Sequence, residues 1–363
     1  MTEIEARVAL NAIPKIGPVR VRNLLERFGD AASILRQSSD KLTGCGLPKD
    51  AVENLRRWEE IIDLPAELAR IRDFGAEILL PEDPLFPPML REIHDPPLLL
   101  HVWGRLTPRD HHAVGVVGCR KPSTYGTECA KKLSYQLAFS GLTVISGMAR
   151  GIDTLAHTAA LAANGRTVAV LGGGLGELYP PENAGLAEKI AANGAVISEF
   201  PMGRLPDKQT FPIRNRIVAG WSEGLLVVEA GGTSGAMITA NFALEMGRTV
   251  FAVPGQINRP MSVGTNNLIK QGARMVTSAE DVLDEYSLLL PPSRPDAAPE
   301  GPAPVLGERD AVIFALIMAT DEIALDELAE KSGLPSHQVS SSVTTLEMKK
   351  LVRALPGHRF AKR

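Results

Sequence analysis

Cysteine, aromatic side chains and surplus positive charge are all scarce in this 363-residue sequence, and each scarcity closes off a class of function. The three cysteines, Cys45, Cys119 and Cys129, lack metal-ligand spacing. Neither a disulfide framework nor a thiolate metal site is therefore expected, and free thiols point to a reducing, cytoplasmic compartment. Aromatic residues make up 5% of the chain and the formal net charge is −3, so nucleic-acid binding has no global warrant and must rest on local clusters of Arg and Lys. No uninterrupted apolar stretch approaches the roughly 20 residues that a membrane span needs. The start, MTEIEARVALNAIP, is acidic and periodic, so a signal peptide is not expected either. A P-loop Gly-Lys-Ser/Thr is missing, and a dinucleotide fingerprint begun at Gly172 and Gly174 meets Glu177 where its third glycine belongs. No nucleotide cofactor is expected.

What is present reads as several domains, since single cores rarely grow past roughly 250 residues. Residues 1–65 read as short helices joined by Gly and Pro, a small helix-hairpin-helix or SAM-like module. Within it, IPKIGPVRVRNLLERFG has the layout of a hairpin whose turn amides face a phosphate, or equally of helices that pack their own apolar face. From residue 66 to 288 the pattern alternates β and α, predicting an extended Rossmann-like, doubly wound, mostly parallel sheet. Six strands are expected at 113–118, 142–147, 167–173, 195–200, 224–230 and 249–255. The proline-rich EILLPEDPLFPPMLREIHDPPLLLHVWG ahead of them reads as an ordered extension wrapping the sheet. Residues 289–306, rich in Pro and Ala, read as a linker, and 307–363 as a winged helix whose second helix is polar but poor in cations.

Four clusters follow predicted strands and so converge on the carboxyl edge of the sheet, where open α/β folds bind ligands. They are GCRKPSTYG, SGMARGIDTLAH, LGGGLGELYPPEN and VEAGGTSGAMITA. Glycine-rich turns feeding helix N-termini aim several amide N–H groups at one space, a phosphate-binding geometry. Gly147 and Gly151 allow close backbone approach, Asp153 is placed to cap a helix, and His157, one turn on, is expected to partner it. Asp153, His157, Glu177, Glu199 and Glu229 lie near the crevice, yet no Ser-His-Asp or metal-type spacing links them, so no catalytic set is expected. In TFPIRNRIVAG, Phe211, Arg214 and Arg216 flank Asn215, with Lys208 just ahead. Together with Arg120 and Arg150 they can form a basic crevice with one ring, the combination that binds single-stranded nucleic acid. Alternatively, Arg214 and Arg216 pair internally with Glu199, Glu223 or Glu229. Residue chemistry alone leaves both readings open.

The segments VGCRKPSTYG, SGMARGIDTLAH, LGGGLGELYPPEN, SEFPMGRLPDKQTFPIRNRIVAGWS, VVEAGGTSGAMITANFALEMGRTVFAVPG and SVGTNNLIKQGA occur in this order and closely resemble the DNA-processing protein A (DprA/Smf) family. The resemblance covers nearly all of the α/β region. It implies a cofactor-free, non-catalytic homodimer that binds incoming single-stranded DNA during natural transformation, shields it and helps load a RecA-type recombinase. Carried over by position, Arg120, Lys208, Phe211, Arg214 and Arg216 form the DNA-facing set, with Arg150, Lys270, Asn215 and Gly147 added from the matching motifs. Cys119 departs from the family, which commonly has a small hydroxyl residue before this arginine.

A second resemblance supplies an enzymatic alternative. EAGGTSGAMITA is similar to the glycine-rich turn of the lysine-decarboxylase-like phosphoribohydrolases, which hydrolyse nucleoside monophosphates on a related fold. Those enzymes place a glutamate early in the following helix, where this chain has Met237, Ile238 and Thr239; Glu245 comes too late. A third reading makes the chain chiefly an adaptor that docks a recombinase.

Overall fold

The computed structural model describes residues 1–286, 307–318, 320, 323–348, 351–355 and 359–362. The chain divides into two compact units, Met1–Leu290 and Pro291–Arg363.

The first unit is built on nine strands: β1 (Glu77–Leu79), β2 (Leu100–Gly104), β3 (Ala113–Val117), β4 (Thr143–Ser146), β5 (Thr167–Val170), β6 (Ala195–Ser198), β7 (Gly224–Val227), β8 (Thr249–Ala252) and β9 (Arg274–Met275). They form one sheet in the order β1-β2-β6-β5-β4-β3-β7-β8-β9. From β6 to β9 every neighbouring pair is parallel. Strands in such a sheet are buried on both faces and need apolar side chains pointing both ways. Their alternation shows it: Ala113 and Val117 face one core, while Val114 and Val116 face the other. Ile217, Trp221 and Ala240 from the helices Thr210–Trp221 and Gly235–Glu245 close the first core. Leu133, Leu137, Ile152 and Ala156 from the helices Thr124–Phe139 and Ile152–Ala162 close the second. The sheet is thus mostly parallel and Rossmann-like, with helices on both sides.

The proline-rich segment covers the sheet layer, burying Phe86, Leu90 and Ile93 in the first core, and it also joins the sheet itself. Its two ends are β1 and β2, which pair antiparallel with each other, and β2 pairs antiparallel with β6, Val102 lying opposite Ile197, so they lengthen the sheet at its edge. An antiparallel edge on a parallel sheet needs no crossover helix. The prolines fall between the two strands, where no ladder hydrogen bond is lost.

The N-terminal helices bury their own apolar face, including Leu10, Ile13, Val21 and Leu24, and the same cluster continues into Ala169, Leu171, Ile190 and Val196 of the sheet layer. Polar ties reinforce the joint. Arg7 donates to both carboxylate oxygens of Glu82, at 3.2 and 2.8 Å, and Asn11 Nδ2 donates to the Glu199 carbonyl at 2.8 Å. The amide of Met202 donates to Glu67 Oε1 at 2.6 Å. Residues 1–65 therefore share a core with the sheet.

The second unit has the helices Glu308–Met318, Leu325–Ser332 and Ser336–Met348, and three strands, β10 (Ile323–Ala324), β11 (Val352–Leu355) and β12 (Arg359–Lys362), in the order β10-β12-β11. Gly333, at φ +68°, ends one helix in the left-handed region, and Ile313, Leu328, Val343 and Phe360 fill the core. This is the arrangement of a winged helix. The expected linker, 289–306, lies outside the described residues.

Candidate nucleic-acid interface

After β3 the chain builds outward to β4, β5 and β6, then returns to place β7 and β8 on the other side of β3. The topological switch is thus at β3 and β7, where a crevice opens at the carboxyl ends of the strands. A cleft of about 570 Å³ occupies this point, lined by residues that include Arg120, Lys121, Lys208, Phe211, Arg214 and Asn215. A narrower notch opens beside it against Gly147, Arg150, Gly173, Tyr179 and the same Phe211 and Arg120.

Each strand end contributes differently. The turn after β3 presents Arg120 and Lys121 to solvent and then enters the helix Thr124–Phe139, whose N-cap Ser123 accepts from Gly126 N at 3.1 Å. Glu229, at the end of β7, ties this turn down by accepting from Ser123 N at 2.8 Å and Ser123 Oγ at 2.7 Å. Cys119 points inward to the same carboxylate at 3.5 Å, and burial pushes its thiol up to about 12. Cys119 is therefore an inert, protonated thiol facing the core.

After β4 the backbone turns through Met148 (φ +58°) and Gly151 (φ +80°) into the helix Ile152–Ala162. A Cβ on Gly147 would stand 2.5 Å from the Arg214 guanidinium carbon, so only glycine permits the approach. Arg214 is 4% exposed, and its Nη1 donates to the carbonyls of Gly147 and Val170. Its Nε donates to Asn215 Oδ1 at 3.1 Å, which gives Asn215 a positioning role at the cleft wall. Burial lowers the guanidinium to about 10, with Asp153 pulling the other way. Burial likewise lifts the Asp153 carboxyl to about 6 against the opposing charge of Arg214. Arg214 thus lies in the floor as a fixed positive charge, anchored to the backbone through Nη1 and to Asn215 through Nε.

Above that floor stands Phe211. The Arg120 guanidinium lies 5.3 Å from its ring centroid and that of Arg214 6.0 Å, while the Tyr179 ring is 5.9 Å away. A Cβ on Gly172 would come within 2.7 Å of the Phe211 ring, so the turn after β5 is cut to fit it. Arg120, Lys121 and Lys208 are exposed and have no carboxylate partner among the described residues. Arg150 is also exposed, but it is paired with Glu182 and lies 5.7 Å over the Tyr179 ring.

The structure brings together Arg120, Lys208, Phe211, Arg214, Asn215, Arg150 and Gly147, and separates two other expected residues. Arg216 is 4% exposed at its side chain and forms ion pairs with Glu199 and, at 3.0 Å, with Asp95, so the internal pairing considered from its chemistry is the one observed. Its position follows from helix geometry: residues two apart on a helix point roughly 200° away from each other, so Arg214 and Arg216 cannot face one space. Lys270 ends the helix Val263–Lys270 and does not line the cleft. A crossover helix runs back from the carboxyl edge, which carries its last residue away from the site. His157 is not paired with Asp153: its Nδ1 meets Thr167 Oγ1 at 2.6 Å, and burial lowers it to about 3, leaving a neutral core imidazole. Asp153 instead accepts from Ala149 N at 3.2 Å, closing its own turn.

Sequence reasoning did not single out Lys121 or Tyr179 as site residues. Lys121 is adjacent to Arg120, a signal that was available. Tyr179 reaches Phe211 only through a turn that spacing does not reveal.

The chain is similar to several known proteins. The family described as DNA recombination-mediator protein A matches residues 77–287, and the DprA winged helix domain matches residues 295–358. The protein Smf of Synechocystis sp. is 36% identical over 319 residues, covering 79% of this chain and 80% of that protein. The X-ray structure of DNA processing protein A from Streptococcus pneumoniae superposes with a TM-score of 0.68 at 36% identity, covering 78% of this chain and 98% of that one. A structure of DNA processing protein A from Helicobacter pylori, which describes that protein's single-stranded DNA binding mode, superposes with a TM-score of 0.53 at 29% identity, covering 60% of this chain and 96% of that one.

Proposed function

Because the chain belongs to the DNA recombination-mediator protein A (DprA/Smf) family, we propose that it binds single-stranded DNA without catalysis, in the cleft at the β3–β7 switch point. The carrying observation is Phe211, held between Gly172 and Arg120, beside Lys208 and Lys121 cations that no carboxylate neutralises among the described residues. Exposed cations track a phosphate backbone, and an aromatic face stacks any base, so the site is tolerant of sequence. Arg120, Lys208 and Lys121 meet phosphates, Phe211 meets a base, and Arg214 and Asn215 shape the floor with Gly147.

Two of the acidic side chains nearby are committed elsewhere and a third, Glu177, lines the notch alone, which supports a binding role over a catalytic set. Glu229 caps the β3 turn and Glu199 pairs with Arg216. The helix after the glycine-rich turn opens on Ala236, Met237 and Ile238, leaving no acid in its first turn for phosphoribohydrolase chemistry. Protection of the strand and loading of a RecA-type recombinase are part of the same proposal, supported by the family's description as a recombination mediator. A homodimer and a cytoplasmic location complete it; free thiols at Cys45, Cys119 and Cys129 are consistent with the latter.

The test is oligothymidine binding across a salt series by the parent, Arg120→Ala and Lys208→Ala. Affinity of the parent falls steeply with salt, and each variant flattens the log-log slope by about 0.7. Unchanged slopes in both folded variants contradict the assignment. Incubation with nucleoside monophosphates releases no free base; release of base would favour the enzymatic alternative.

A further inference from the structure

The cleft does not end at the switch point. A second groove, of about 930 Å³, lies at the next position along the carboxyl edge, where β3, β7 and β8 end. Its walls include Lys121, Ser123, Tyr125, Gln256, Arg259 and Met261. Lys121 and Met261 line both cavities, so the two adjoin.

The chemistry of the cleft is repeated there. Tyr125 stands in the first turn of the helix Thr124–Phe139, 49% exposed, and its hydroxyl donates to the Pro254 carbonyl at 2.8 Å. That bond crosses from the β3 side to the β8 side and fixes a ring in the groove. Arg259 is exposed on the loop after β8; its Nε donates weakly to Gln256 Oε1 at 3.4 Å, and no carboxylate pairs with it among the described residues. The acid in the wall, Glu229, is 5% exposed and spends both oxygens on Ser123, so it leaves the groove's exposed charge positive.

We propose that this groove holds the nucleotides that follow those in the cleft, with a base stacked on Tyr125 and phosphates held by Lys121 and Arg259. The inference rests on the single-stranded DNA reading of the cleft. A cation, a pinned ring and a place adjoining the first site are what a continuing strand requires. Lys121, shared by both cavities, is the step between them.

Oligothymidines from about 4 to about 16 nucleotides, spanning the usual site sizes, test the proposal with the full chain. The shortest fill only the cleft, so Tyr125→Leu and Arg259→Ala bind them as the parent does. With the longest, Tyr125→Leu loses roughly 5- to 100-fold in affinity. Arg259→Ala, on an exposed loop, flattens the salt slope by about 0.7 for long oligomers alone. Tyr125→Phe keeps the ring, and its retained long-oligomer affinity separates stacking from the hydroxyl's structural bond. Phe211→Ala weakens every length. If Tyr125→Leu and Arg259→Ala both match the parent at all lengths while Phe211→Ala does not, the groove is overturned and the cleft stands. If the parent binds no oligomer, both readings fall.

Discussion

The helix Thr210–Trp221 has two faces, each with a buried arginine, and the two are held in opposite ways. Arg216 turns toward the N-terminal helices and is matched by two carboxylates, Glu199 and Asp95. Arg214 turns toward the strand ends and is held by backbone carbonyls, with Asp153 as its nearest opposing charge. A cation bound by internal acids is structural, because a buried charge must be matched where it lies. One bound by carbonyl dipoles keeps its net charge and lends a positive potential to the cleft above it. The exposed cations Arg120, Lys121 and Lys208 are free to move onto a ligand. The helix thus welds two layers together on one side and charges a binding floor on the other.

The largest effect expected from breaking this comparison is on stability. Arg216→Met strands Glu199, whose carboxyl burial already raises, and is expected to cost about 3–5 kcal/mol in urea unfolding. Oligothymidine affinity of the folded fraction stays at the parent value; a loss of affinity matching that of a cleft variant would contradict the separation of the two faces.

Next comes the pH dependence of the other face. The Asp153 carboxyl is raised in the fold to about 6 from 3.8. A raised carboxyl favours the fold while protonated, so its contribution declines as pH climbs from about 4 to about 6, by on the order of 3 kcal/mol. In Asp153→Asn that decline disappears. Unfolding curves of both proteins between these limits check it, and a stability difference independent of pH would contradict it.

Phe211→Leu keeps apolar bulk against Gly172 but removes the stacking face, and should weaken oligothymidine binding by about 1–3 kcal/mol with an unchanged salt slope. Arg150→Ala should give the smallest effect. Its guanidinium is already paired with Glu182, so the slope should move by less than the roughly 0.7 lost with Arg120. A slope change equal to that of Arg120→Ala would show that DNA displaces Glu182.

The fold was largely legible because its central strands are buried on both faces and therefore read as unbroken apolar runs. All six expected strands appear, each slightly shorter than its run. β1 and β9, of three and two residues, carry too little pattern to register. The extension before β3 packs over the sheet layer as expected, but its prolines mask the strands at either end. At the site, the convergence of loops followed from strand order, which is why Arg120, Lys208 and Phe211 meet. The pairing of Arg216 with Glu199 is one of the two readings its chemistry leaves open, and what could not be read was which of the two holds. Its partner Asp95 comes from a loop before β2, and only the helical phase of Arg214 and Arg216, overlooked in a segment read for its charges, separates their directions.

The most direct measurement is a crystal structure of the full chain with a short oligothymidine. The account predicts a thymine stacked on Phe211 and phosphates within about 3 Å of Arg120 and Lys208, with the Arg216–Glu199 pair unchanged. A strand bound away from the β3–β7 strand ends, with Phe211 untouched, would contradict it.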